Sequence, residues 1–301
     1  MKYWNIGVLM EKFGKSQSVL RTEDDRFLTG KGRYIDDATP SDSLFAYFFR
    51  SQVAHAKIAN LNVVDAKKAV GIHGIFVAED LENNGVKNDL VGVTVKNRDG
   101  TDGASPKRPL LAKERVRFVG EPIALVIADT MQNAKDAAEL IEIDYDDLPV
   151  STELKRGEYT IHPEAPENVA FEWQMGDESK TNELFEQADK VVSMEVDNNR
   201  IIANSMEPRG CYAEWDNERL HISFSGQGVW AHKRFASEIL GLRSEQIRVT
   251  NPDVGGGFGM KAMGYPEEFV VSFAAIELKK PIRWMSERTE AMLSDNAGRD
   301  L

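Results

Sequence analysis

A single cysteine, Cys211, excludes an internal disulfide and any CxxC metal site, so the chain can carry no multi-cysteine iron–sulfur cluster of its own. Histidine is nearly as scarce. The five present (His55, His73, His162, His221 and His232) show no pair at metal-ligand spacing such as i, i+4 on a helix. Positive charge is in deficit: 37 basic against 49 acidic residues give a net charge of −12, which disfavours binding to nucleic acid or to an anionic membrane. Long apolar runs are missing as well. The longest, such as 123–128, reach about six to eight residues against the roughly 20 needed to span a bilayer. The run 6–10 is shorter than the roughly 7 to 15 apolar residues of a secretory signal core. These absences predict a cytoplasmic protein.

The length of 301 residues corresponds to about two domains, with enough chain to bury a core without covalent staples. The pattern 123–128 is continuously apolar, as in a strand covered on both faces. A helix over 131–141 follows, capped by Asp129 or Thr130, and then the period changes to two through Ile141, Ile143 and Tyr145. This predicts a strand–helix–strand unit with a right-handed crossover. Further strands are expected at 44–49, 75–78, 191–196, 211–215, 221–224 and 247–250, and a short helix at 66–70 ended by Gly71. Two helices are expected in the second half. One carries Ala231, Phe235, Ile239 and Leu242 on one face and ends near Gly241; the other begins at Pro266 and stops before Pro281. Residues 83–109 read as a long surface loop, and Gly157, Pro163 and Pro166 mark a linker. The fold class is α+β, divided into an extension 1–20, a first domain 21–155, a linker 156–170 and a second domain 171–301.

The strongest local motif is Val254-Gly255-Gly256-Gly257-Phe258-Gly259 after the strand 247–250. Clustered glycines let backbone approach a ligand closely, and exposed N–H groups can hold anionic oxygens, although a glycine-rich turn can equally be only a turn. It lacks the Gly-Lys-Ser/Thr ending of a nucleotide phosphate loop and the Gly-x-Gly-x-x-Gly spacing of a dinucleotide site. Gln227, in Ser225-Gly226-Gln227-Gly228, is a neutral amide that can donate to an oxygen without titrating, or simply a solvated turn residue. Glu207 beside Arg209 suggests a fixed ion pair, Glu267 and Glu268 suit a helix N-terminus, and Asp146 with Asp147 form a solvated turn. Cys211, with no base beside it, reads as a buried inert thiol.

Several segments in order, 21–37 (RTEDDRFLTGKGRYIDD), 117–124 (RFVGEPIA), Met206-Glu207-Pro208-Arg209-Gly210, Ser225-Gly226-Gln227 and 253–259, resemble the large, molybdenum-binding subunit of the xanthine dehydrogenase and aldehyde oxidase family. The resemblance implies an α/β hammerhead domain followed by the first part of a molybdopterin-binding α+β domain. It implies oxidation of a substrate carbon with oxygen from water, the cofactor carrying the chemistry and the protein positioning it. Gln227 would hydrogen-bond an oxo ligand of molybdenum, and the backbone of Gly256, Gly257, Phe258 and Gly259 would approach the metal and pterin. The cofactor would be molybdenum with molybdopterin in its cytosine dinucleotide form, with iron–sulfur and FAD groups on partner subunits in a dimer of heterotrimers. Ala262 stands where purine-oxidising members carry a glutamate, which points to the carbon-monoxide-dehydrogenase-like or aldehyde-oxidising branch. The family's catalytic base falls beyond Leu301, so no catalytic residue is assigned.

Two other readings remain open. One is a non-catalytic binding or subunit-assembly module that retains the hammerhead domain; the other is a glycine-loop nucleotide-binding protein. An incomplete large subunit predicts an uncovered apolar face over 269–278, whereas a self-sufficient module predicts that helix covered.

Overall fold

Residues 122–128 form the strand that an unbroken apolar run predicts, with every residue buried and neighbours on both sides. The computed structural model describes residues 21–299 apart from 91, 154, 155, 158 and 297; the extension 1–20 lies outside them. The strands are β1 (Leu44–Arg50), β2 (Ala56–Asn62), β3 (Ile72–Val77), β4 (Arg115–Val116), β5 (Pro122–Ala128), β6 (Glu142–Asp147), β7 (Gly210–Asp216), β8 (Arg219–Phe224), β9 (Ile247–Thr250) and β10 (Ile282–Met285). The helices are α1 (Asp24–Leu28), α2 (Ile35–Ala38), α3 (Ala78–Asn83), α4 (Met131–Ala138), α5 (Glu178–Gln187), α6 (Trp230–Leu240), α7 (Pro266–Leu278) and α8 (Arg288–Ser294). Helix α1 belongs to a short unit ending at Arg33, and the chain from Tyr34 onward makes a second unit.

Seven strands form one sheet in the order β3-β5-β1-β10-β7-β8-β9, and β4-β2-β6 form a smaller one. The large sheet crosses the composition break at 156–170 without interruption, because β1 from the first half pairs in parallel with β10 from the second, Leu44 opposite Ile282. The main core lies on this sheet, where Phe48, Leu125, Phe224, Phe269, Phe273 and Trp284 are all buried.

The strand–helix–strand unit is corrected. β5 lies in the large sheet, whereas β6 pairs antiparallel with β2 in the small one. The difference is physical: β5 is apolar on both faces, but β6 carries exposed Glu142, Asp144 and Asp146, so only Ile143 and Tyr145 face an apolar cluster with Val116 and Ile123. Thr130 caps α4 as expected, its hydroxyl accepting from the Asn133 N–H at 3.1 Å. Thr130→Ala costs about 1 kcal/mol in chemical denaturation, the usual effect of losing an N-cap.

Residues 191–196, expected as a strand, are not one. Val192 and Met194 alternate with polar neighbours but are about 80% exposed, and no strand among the described residues pairs with them. The exposed helix α5 was not foreseen; Asp177 caps it through the Lys180 N–H. Helix α7 is buried on nearly every side from Pro266 to Ala275 against β7, β8 and β10, so the uncovered face expected of an incomplete subunit does not occur there. Exposed apolar residues lie instead at Val191, Val192, Met194, Val196 and Ile201 and on α8 at Met292 and Leu293.

Candidate functional site

β8 and β9 run parallel, with Leu220 opposite Ile247 and Ser223 opposite Thr250, so the loops leaving them emerge side by side. β7 is antiparallel to β8, Cys211 opposite Phe224, which brings the segment entering β7 to the same edge. Three loops therefore meet there, 205–210, 225–228 and 251–262. The carboxyl ends of parallel strands are where open sheets present ligand sites.

The glycine run and Gln227 come together at this edge. The Gly259 N–H donates to Gln227 Oε1 at 2.8 Å, and the Gln227 N–H donates to the Lys261 carbonyl at 3.1 Å. An N–H can donate only to the amide oxygen, so this bond fixes which end of the Gln227 amide faces the loop. The Nε2 donors carry no partner among the described residues, and Gln227 is exposed. Gly256 and Gly259 adopt φ of 100° and 90°, which favours glycine, and Phe258 holds φ of 54° with 77% of its surface exposed. A Cβ on Gly255 would stand 2.4 Å from the Glu207 Cβ, and one on Gly257 2.5 Å from Gln227 Oε1, whereas one on Gly259 or Gly228 would meet nothing within 4 Å. The loop is filled on its inner side and open on its outer side.

Glu207 does not pair with Arg209 as expected. Its carboxylate accepts from the Gly255 N–H (2.8 Å), from Ser225 Oγ (2.6 Å) and from the buried Lys261 Nζ (3.2 Å). Arg209 turns the other way, to Glu267 (2.8 Å) and Asp295 (2.5 Å), with its guanidinium 3.7 Å from the centre of the Tyr265 ring. Glu267 also accepts from Arg50 on β1 at 2.6 Å, and Glu268 meets His232 Nδ1 at 2.7 Å. Both glutamates lie in the first turn of α7 as expected, but they are buried, Glu267 in ion pairs with Arg209 and Arg50 and Glu268 in a hydrogen bond to His232, so they do more than complement the helix dipole. Lys261 and Ser225 were missed as site-building residues. The signal for Lys261 was one charged residue between Met260 and Ala262, directly after the glycine run.

The Cys211 thiol is buried as expected, and burial pushes it well above its ordinary pKa. Asp146 and Asp147 are exposed as expected, but they end β6, opposite Lys57 and Ala56 of β2, rather than forming a turn. Among the described residues no group of three or more His, Cys, Asp or Glu side chains could hold a metal ion. No helix among them is long and apolar enough to cross a membrane.

The family model described as the aldehyde oxidase and xanthine dehydrogenase a/b hammerhead domain matches residues 29–149, and that of the molybdopterin cofactor-binding domain matches 161–301. The nicotine 6-hydroxylase large subunit of Paenarthrobacter nicotinovorans is 34% identical over 97% of this chain and 35% of its own length. The carbon monoxide dehydrogenase large chain of Afipia carboxidovorans is 30% identical over 93% of this chain and 36% of its own. The crystal structure of quinoline 2-oxidoreductase from Pseudomonas putida 86 superposes with a TM-score of 0.81 at 31% identity, covering 94% of this chain and 36% of that one. The chain spans about a third of the length of the curated relatives it matches. With both domain models matched in succession and the same fold in solved molybdenum hydroxylase large subunits, the chain belongs to the aldehyde oxidase and xanthine dehydrogenase family, as part of its molybdopterin-binding large subunit.

Proposed function

We propose that this chain supplies part of the cofactor cradle of a molybdenum-dependent hydroxylase, with Gln227, Gly256, Gly257, Phe258 and Gly259 facing the metal end of molybdopterin. The observation that carries the reading is the Gly259 N–H bond to Gln227 Oε1, which leaves the amide donors of exposed Gln227 without a partner among the described residues, in a loop cluster that also exposes Phe258. The residues present suit the group. Neutral amide donors stabilise oxygen-centred charge without titrating, and the open side of Gly259 admits close backbone approach. When bound, the cofactor supplies oxidation of a substrate C–H carbon with oxygen from water. Gln227 orients the metal end through Nε2, the loop backbone fixes the distance of approach, and Phe258 offers an apolar wall that excludes water. No proton transfer is assigned to this chain.

The proposed cofactor form is the cytosine dinucleotide, with iron–sulfur and flavin groups on partner subunits, in keeping with relatives named as a large subunit, a large chain and a subunit of a dehydrogenase complex. The proposed substrate is a nitrogen heteroaromatic other than a purine: the nicotine and quinoline enzymes among the similar proteins support the heteroaromatic, and Ala262 in place of an acid argues only against the purine. The division into a hammerhead domain over 21–155 and a cofactor-binding domain from 171 is part of the same proposal, as is a cytoplasmic setting. The test is co-production of the complete reading frame with its partner subunits in a host that makes the cofactor. Expected are roughly one molybdenum per chain, cytidine monophosphate released by acid, and hydroxylation of a pyridine or quinoline in preference to an aldehyde or carbon monoxide. A folded, assembled protein devoid of molybdenum and of released nucleotide would falsify the reading and leave the assembly-module alternative.

A further inference from the structure

We infer that Lys261 and Glu207 form a buried positioning pair that sets where Gln227 stands relative to the glycine loop. The inference rests on the cofactor-cradle reading given above. Lys261 is wholly enclosed, and its Nζ donates to the Glu207 carbonyl (2.7 Å), to Ser225 Oγ (2.6 Å) and to Glu207 Oε2 (3.2 Å), so all three ammonium donors are used. Ser225 Oγ in turn donates to Glu207 Oε2. Each of the three site loops contributes one member: Glu207 enters β7, Ser225 leaves β8, and Lys261 follows the glycine run after β9.

The backbone repeats the same connections. Gly255 N–H bonds the Glu207 carboxylate at 2.8 Å while Glu207 N–H bonds the Gly255 carbonyl at 3.2 Å, closing a ring between the first and third loops. The Lys261 carbonyl accepts from the Gln227 N–H, closing another between the second and third. Glu207 is itself tied to α2 through the Ile35 N–H at 3.3 Å, and Arg288 holds the Asn204, Ser205 and Met206 stretch through three bonds. The loop that approaches the cofactor is thereby anchored to rigid elements by a charge pair beneath it. A neutral residue of the same length cannot replace Lys261, because an amide or thioether supplies fewer donors than the three acceptors require.

The pair touches no substrate, so its effect is read through the loop. In the complete, assembled protein, Lys261→Met is expected to raise amide exchange across 254–262 by about tenfold, the loss of roughly one hydrogen bond to a charged group, with β7 and β8 unchanged. Molybdenum content stays close to that of the parent, and kcat falls by about tenfold or more with KM little altered, the pattern of a misplaced rather than a missing contact. Glu207→Gln keeps an acceptor for the Gly255 N–H and gives a smaller rise in exchange, which covers the case in which Lys261→Met does not fold. Unchanged exchange over 254–262 in either folded variant overturns the inference. Failure of the cradle reading looks different: the variants then loosen the loop as expected, but the parent holds no molybdenum.

Discussion

Replacing Glu267 with alanine lowers stability by about 2 to 4 kcal/mol, a fall of several degrees in melting midpoint, because it takes from Arg209 and Arg50 the buried carboxylate they share and leaves Arg209 only Asp295 and Arg50 only Glu290 as acidic partners. Glu267 is 1% exposed, Arg209 is 3% exposed, and Arg50 reaches the same carboxylate from β1. Burial alone would raise the Glu267 pKa, but the guanidiniums of Arg209 and Arg50 outweigh it and hold the carboxyl well below the usual carboxylate range. Arg209 is held above its ordinary value; burial opposes this, and Glu267 and Asp295 overcome it. The sign of the pH dependence follows. A carboxylate with a depressed folded pKa contributes its stability in full above the unfolded value of about 4.3 and loses it progressively as pH falls from there through the folded value, so the contribution of Glu267 declines below about pH 4 and is gone only in strong acid. Glu267→Gln should therefore flatten the stability profile below about pH 4 relative to the parent. The double variant Arg209→Met with Glu267→Leu should cost less than the two single changes summed, since it removes both charges together. A single-variant loss of under about 1 kcal/mol in urea denaturation would refute the assignment.

This network links parts of the chain that are far apart in sequence, and that distance is why it was not legible. Arg50, Arg209 and Glu267 come from three separate segments and Glu290 and Asp295 from a fourth, α8 and its C-cap, and nothing in their local patterns distinguishes them from surface charges. Elements governed by local chemistry were legible. The apolar run of β5, the Thr130 cap, the left-handed Gly241 after α6 (φ 67°) and the Pro266 start of α7 all lie where their residue types predict. Pairing was not legible. The alternation of β6 identifies a strand, but its partner β2 lies some eighty residues away, with Asn62 opposite Glu142. The same limit explains 191–196, whose alternation is that of a strand but which has no partner among the described residues. At the site, glycine content and the order of motifs pointed to Gln227 and 254–259. The clamp of Glu207, Ser225 and Lys261 beneath them depends on β7, β8 and β9 being neighbours.

The largest functional effect is expected from Gly257→Ala, a change of one methyl group that leaves the fold intact. A Cβ at Gly257 would lie 2.5 Å from Gln227 Oε1 and 2.6 Å from its Cδ, so the exposed, flexible glutamine must swing aside. Gly257 needs no positive φ, unlike Gly256 and Gly259, so alanine brings no backbone strain there. The stability cost is then about 1 kcal/mol, that of the Gly259 N–H to Gln227 bond. The loss of one oriented donor at a charge-developing centre is worth about a hundredfold in kcat, and the assembled enzyme should lose that much. Gln227→Ala should cause the same loss, and the double variant should fall no further, because both changes remove one contact. Gly226→Ala provides the contrast. Its Cβ would stand 1.9 Å from the ring of buried Phe224, so that variant should be destabilised by about 1 to 3 kcal/mol through overpacking. Steady-state kinetics beside calorimetry on the three single variants and the double separates the effects: full activity in a folded Gly257→Ala enzyme, with Gln227→Ala impaired, would show that the Gly259 bond does not orient the amide.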